Sequence, residues 1–189
     1  MDRNPDTPWN PRVPTDISPV DFEKIVLDWL GSASAHKNQT ITTEHLGVVT
    51  GEGGQYKIDV LVTFSALGGA SFVVLVECKH QTRPIEREDV MVLESKLRDV
   101  NAQKAMIFST SGFQSGAIEF ASAKRIASIT VVEGAWLFET KGFGIKPATP
   151  PPWVKFPKYR GISLLKTTTG ISCHTLEATR LDAIEDWLN

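Results

Sequence analysis

The chain is poor in several things, and each scarcity removes a class of protein. Its only cysteines, Cys78 and Cys173 in 189 residues, are too few for a disulfide framework or a thiolate zinc site. No apolar run approaches the roughly 18 residues of a bilayer-spanning helix. The start, Met1-Asp2-Arg3-Asn4-Pro5, lacks the apolar stretch of a secretory signal. The expectation is a soluble protein of a reducing cytoplasm with no membrane partner. Proline is nearly missing from the middle: Pro84 stands alone between the early Pro5, Pro8, Pro11, Pro14 and Pro19 and the late group from Pro147 to Pro157. Acidic residues are missing between 140 and 176, where Lys141, Lys146, Lys155, Lys158, Arg160 and Lys166 give +6. The rest of the chain therefore carries −8 of a net −2, and a polyanion could meet that local patch although the total charge gives no hint of it.

What is present suits one folded domain. Hydrophobic residues are 41% and charged residues 22%, enough apolar surface for a packed core. The prolines divide the chain into an extended arm over 1–17, a domain over 18–139, and a basic, proline-rich linker with a last helix over 140–189. Ser18 as N-cap and Pro19 at the first helical position open a helix to about residue 30, with Phe22, Ile25, Val26 and Trp29 on one face. Strands follow over 41–50, 56–64 and 72–76, with Gly51-Glu52-Gly53-Gly54 as the first hairpin turn. A helix over 86–100, a strand over 104–109, a helix over 115–127 and a strand over 129–132 complete the domain. A meander followed by βαβ units predicts an α/β fold, a mixed sheet flanked by helices.

The informative feature is charge inside apolar strands. Glu77-Cys78-Lys79 directly follows Phe72-Val73-Val74-Leu75-Val76, and strand alternation puts Glu77 and Lys79 on one face and Cys78 on the other. Asp59 stands alone within Ile58-Asp59-Val60-Leu61-Val62, and pairing of the two strands would bring it close to Glu77. Clustered carboxylates repel unless paired or bound to a cation. A hard divalent ion with oxygen ligands meets that need, and an adjacent lysine can orient water or stabilise phosphoryl charge. A lone Glu-x-Lys usually forms a surface ion pair; Asp59 and the apolar strand shift the balance toward metal-assisted phosphodiester hydrolysis.

Asp59 followed by Glu77-Cys78-Lys79 resembles the signature of the PD-(D/E)xK nucleases. Val76-Glu77-Cys78-Lys79-His80-Gln81, Phe108-Ser109-Thr110-Ser111-Gly112-Phe113 and Ala117-Ile118-Glu119-Phe120-Ala121 resemble, more closely, the Mrr-like restriction endonuclease domain, over residues 20–132. The resemblance implies a restriction-endonuclease-like fold. It makes Asp59 and Glu77 metal ligands, with the carbonyl of Cys78 completing the set, Lys79 the water-orienting residue, and Glu23 an acidic residue brought near the metal. It implies Mg²⁺, with Mn²⁺ as substitute, DNA as partner and a 5′-phosphate product. Two departures stand out: Ile58 replaces the signature's proline, and Met91 stands where the family often has a helical glutamine.

His80, Gln81, Ser109, Thr110 and Ser111 are candidate phosphate contacts beside the site, although a surface role for His80 and helix capping by the hydroxyls are the simpler readings. Lys155, Lys158 and Arg160, interleaved with Trp153, Phe156 and Tyr159, are candidate DNA contacts in the basic arm, with anchoring of the arm as the rival role. The expected function is a metal-dependent DNA endonuclease of restriction type, and cutting both strands of a duplex makes a homodimer an expectation that no sequence feature demands. A resolvase or repair nuclease on the same fold would carry the same residues. A non-cleaving nucleic-acid-binding module is the alternative from a different class, which the intact Asp59, Glu77 and Lys79 argue against.

Overall fold

The computed structural model describes residues 16–33, 41–66, 70–133, 159–167 and 170–176. Helix α1 runs Pro19–Ala33, followed by strands β1 Ile41–Gly51, β2 Gly54–Ala66 and β3 Ala70–Lys79. Then come α2 Arg87–Asp99, β4 Lys104–Ser109, α3 Ser115–Ala123, β5 Ala127–Glu133, β6 Tyr159–Thr167 and β7 Gly170–Leu176. The strands form one sheet in chain order. Pairings β3–β4 and β4–β5 are parallel, and β1–β2, β2–β3, β5–β6 and β6–β7 are antiparallel. This is the mixed, helix-flanked sheet of a restriction-endonuclease-like α/β fold.

Local chemistry explains the helix starts. The Ser18 hydroxyl accepts the Asp21 N–H at 3.1 Å and donates to the Asp21 carboxylate at 2.7 Å, so α1 begins on a satisfied cap. At α2 the Asp89 carboxylate reaches back to the Glu86 N–H at 3.0 Å. Helix α1 continues through Gly31 to Ala33, about three residues beyond its expected end.

Alternation sorts the core into two layers. Phe22, Val26, Trp29 and Leu30 of α1 pack on Val60, Val62, Val74, Val76, Met106 and Phe108. Leu75, Ala105 and Ile107 turn to the other face and meet Val90 and Leu93 of α2 and Ala117, Ile118 and Ala121 of α3. Strand β2 changes face midway: Val60 and Val62 join the α1 layer, yet Ile58 joins the α2/α3 layer. The change falls where the β1–β2 ladder omits the rung between Leu46 and Asp59. Leu46 takes φ +56°, uncommon for a side-chain-bearing residue, and a Cβ on Gly47 would lie 2.8 Å from the Leu61 Cβ. The hairpin thus bends at Asp59.

Residues 159–176, expected to belong to a linker, instead carry two strands that extend the sheet beyond β5. Ile162 is buried against the α2/α3 layer, and Gly161 and Ser163 are also buried. Of the arm expected over 1–17, residues 1–15 lie outside the described residues, as do the proline-rich stretch over 143–157 and the last helix expected over 176–188, apart from Leu176, which ends β7. Among the described residues no helix is long and apolar enough to cross a membrane. If β6 is part of the core, Ile162→Ala should destabilise the protein by about 2–5 kcal/mol in chemical denaturation. A loss near zero would return this segment to a loose arm.

Candidate active site

The ladder between β2 and β3 ends at Val60↔Val76. Beyond it, the next β3 amide facing β2 belongs to Cys78, and Asp59 Oδ2 accepts that N–H at 2.7 Å. A strand residue directs its N–H and C=O to the same side, so the Cys78 carbonyl opens on the edge where Asp59 stands. The Cys78 side chain packs toward the α1 layer. Glu77 and Lys79 share the opposite face, and Lys79 Nζ donates to Glu77 Oε1 at 2.8 Å. Both are largely enclosed, with side-chain exposures of 29% for Lys79 and 14% for Glu77. Two carboxylates, a backbone carbonyl and an ammonium group thus converge at one strand end.

The restriction endonuclease family model of the Mrr catalytic type matches residues 15–140. The chain belongs to this family. No curated protein sequence matches it. A crystal structure of a protein of unknown function, AF1548, is similar at 17% identity and a TM-score of 0.45, over 58% of this chain and 56% of that one.

Within this nuclease-family domain the two carboxylates are tuned in opposite directions. Burial raises the Asp59 pKa, and the charges of Glu77 and Glu23 add to it, against the Cys78 N–H and Lys79, which lower it. Burial would also raise Glu77, but hydrogen bonds and charges from Lys79 and Lys96 outweigh it and hold the carboxyl below its ordinary value. Burial, with Asp59, Glu23 and Glu77 nearby, pushes the Cys78 thiol well up, so it stays protonated. Lys79 would be lowered by burial, yet Glu77 raises it, which keeps it an ammonium ion.

Lys96 of α2 is the residue that sequence reading misses. Its Nζ donates to Glu77 Oε2 at 3.0 Å. In the sequence it sits among charges, Glu94-Ser95-Lys96-Leu97-Arg98, and reads as solvated surface. Its one sign is helical spacing, three residues after the core position Leu93. Met91, at the glutamine-like position, is instead 47% exposed.

The remaining candidates fall into different places. Glu23 lies on α1, and its carboxylate is within hydrogen-bond distance of His45 Nε2 of β1, at 2.6 Å. His80 is turned inward: its ring lies 6.1 Å from Phe22, and Nε2 is buried without a hydrogen-bond partner among the described residues. Ser109, Thr110 and Ser111 are buried and spend their hydroxyls internally. The Thr110 hydroxyl accepts the Gln81 N–H and donates to the Gln81 carbonyl, both at 3.2 Å, and Ser111 donates to the Arg83 carbonyl at 2.5 Å. Helix α3 is entered at Gln114, so these hydroxyls do not cap it. Gln81 donates its side-chain amide to the Arg83 carbonyl at 3.0 Å. Arg160 stands on β6, while Lys155 and Lys158 lie outside the described residues. Among the described residues no group of three or more His, Cys, Asp or Glu side chains is gathered to hold a metal ion.

The opposed carboxylates make a stability prediction with opposite signs. Asp59 has a raised folded-state pKa, so its favourable contribution is complete at acid pH and is lost as pH rises from the unfolded to the folded value. Glu77 is lowered, so its contribution is complete above the unfolded value and is lost as pH falls through the folded one. Asp59→Asn should therefore stabilise the protein at pH 7, and Glu77→Gln should destabilise it. Both differences should shrink on acidification through the carboxylate range, as measured by urea denaturation at several pH values.

Proposed function

We propose that this restriction-endonuclease-family chain is a Mg²⁺-dependent DNA endonuclease of the restriction and defence type, with Asp59, Glu77 and the Cys78 carbonyl as the metal-holding set. The observation that carries the reading is the convergence of Asp59, Glu77 and Lys79 at the end of the β2–β3 ladder. The donor set suits the proposed ion: a hard divalent cation needs only a few protein oxygens and keeps several waters, and Mn²⁺ shares that preference. When bound, such an ion would supply an acidic water and offset charge on the phosphate.

The residues of the chain do the rest. Asp59 is fixed by the Cys78 amide, so its carboxylate keeps its aim without side-chain entropy to lose. Lys79, retained as an ammonium ion, acts as a donor rather than a base, either to the attacking water or to a phosphoryl oxygen as it gains charge. Water attacks phosphorus in line, the 3′ oxygen leaves, and the 5′-phosphate stays on the product. Glu23, across the sheet on α1, adds negative potential near Asp59. A homodimer would supply the two sites that a double-strand cut requires.

The deciding experiment incubates purified protein with Mg²⁺ or Mn²⁺ and plasmids that are methylated, unmethylated, supercoiled or branched. Cleavage of ordinary duplex supports the restriction reading, cleavage of branched DNA alone a resolvase, and binding without cleavage a non-catalytic module. Asp59→Ala, Glu77→Ala and Lys79→Ala should each lower cleavage by about 10²–10³-fold or more, leaving DNA binding largely intact. Full activity in Glu77→Ala would sink the assignment, and chelation of the metal should abolish turnover in the wild type.

The basic residues Lys155, Lys158 and Arg160, leading into β6, are proposed to bind the DNA backbone. Neutralising Lys155, Lys158 and Arg160 together should weaken binding to all sequences alike. The slope of log affinity against log salt should flatten by roughly 0.9 for each phosphate that the protein no longer neutralises. An unchanged slope would leave DNA held by the rest of the domain.

A further inference from the structure

Glu77 is held from both sides. Its Oε1 accepts from Lys79 at 2.8 Å, and its Oε2 accepts from Lys96 at 3.0 Å. Lys79 is its neighbour on β3, but Lys96 comes from α2, a separate element that had to be brought to the sheet. Val90 and Leu93 are buried against the α2/α3 layer, and Lys96 lies one turn beyond Leu93, at the flank of that stripe. Its side chain is only 21% exposed, so this is not a lysine reaching into solvent. The helix is fixed at its start by the Glu86–Asp89 hydrogen bond and by backbone bonds of Ile85 to Gly112 and of Gln114 to Ile85, each 2.9 Å. Lys96 is therefore delivered to Glu77 by a well-anchored frame.

The charges have a consequence. At the strand end Asp59 and Glu77 offer two negative charges and Lys79 and Lys96 two positive ones, while Glu23 adds negative potential near Asp59. A carboxylate has about four acceptor positions, so two ammonium donors do not block a third partner. They do reduce the attraction that a divalent cation would feel, and within a few ångströms of a half-buried site that reduction is large.

We propose that Lys96 is a positioning residue and resident counter-ion of Glu77, one that holds the carboxylate at the strand end and competes with the divalent ion for it. This rests on Glu77 being a metal ligand, as proposed above. Lys96 acts through Glu77 and sets how much metal the site requires, while Lys79 remains the donor to the reacting groups.

The test titrates Mn²⁺ into DNA-free wild type, Lys96→Met and Lys96→Arg, and reads bound metal by electron paramagnetic resonance, with thermal melts to verify folding. Lys96→Met keeps the alkyl stem and removes the charge, so it should bind Mn²⁺ about tenfold more tightly than wild type. Lys96→Arg keeps the charge and should stay near wild type. The Mg²⁺ concentration for half-maximal cleavage should fall in Lys96→Met in parallel. A role confined to packing would shift the melting temperature alone. Unchanged or weaker Mn²⁺ binding in a folded Lys96→Met protein overturns the proposal. Glu77→Gln separates the two levels: it should lose the Mn²⁺ site, and unaltered binding there would overturn the metal-ligand reading and this proposal with it.

Discussion

One hydrogen bond joins the fold to the candidate site. Where β2 leaves β3 after Val60↔Val76, the Cys78 amide would be left without a strand partner, and an unpaired buried N–H costs about 1–3 kcal/mol. Asp59 supplies the acceptor at 2.7 Å. The carboxylate can do this only because β2 changes face between Ile58 and Val60, and that change depends on Leu46 at φ +56° and on the missing side chain of Gly47. The uncommon backbone of Leu46 and the departure of Asp59 from ordinary alternation thus fall at the same missing rung. A regular hairpin would have paired the strands further and turned Asp59 squarely to one face.

Surroundings divide the labour between the carboxylates. Burial and two acidic neighbours raise Asp59 in spite of its backbone donor, and two lysines lower Glu77 in spite of its burial. Like charges placed close together otherwise tend to share one proton, as paired carboxylates do. Here the lysines take one member of the pair out of that contest. Glu77 stays ionised, and Asp59 can respond to whatever cation or proton is present. The arrangement follows a general pattern in which neighbouring titratable groups acquire different roles because their surroundings push their pKa values apart.

The centre of this structure is legible in the sequence and its margins are obscure. Asp59, Glu77 and Lys79 stand out because charge in an apolar strand has few bland explanations, and β3 and β4 are recognisable as continuous buried runs. Strand β4, expected over 104–109, spans Lys104–Ser109. Strands β6 and β7 escape a local reading. Tyr159-Arg160-Gly161-Ile162-Ser163-Leu164-Leu165-Lys166 lacks clean alternation, and a glycine in mid-strand with prolines just upstream argues for irregular chain. What holds β6 is the open edge of β5, a tertiary partner that no local window contains. Lys96 is hidden for a similar reason: a helix with many charges reveals its inward flank only once the sheet beneath it is known.

The block Phe108-Ser109-Thr110-Ser111-Gly112-Phe113 carries the family resemblance, yet its side chains make scaffold contacts rather than an open phosphate cradle. Past the end of the parallel β3–β4 ladder, Thr110 donates its N–H to the Lys79 carbonyl at 3.2 Å, and its hydroxyl serves both backbone groups of Gln81. Gly112, at φ +79°, accepts the Ile85 N–H, a backbone conformation that favours glycine. These bonds continue the pairing of two chains after regular strand geometry has stopped. They fix the residues immediately after Lys79 and the start of α2 in one frame. A block so far along the chain therefore matters to the site through position: the Thr110 and Ser111 hydroxyls hold the chain just after Lys79, and the backbone bond between Ile85 and Gly112 holds the approach to the helix that carries Lys96.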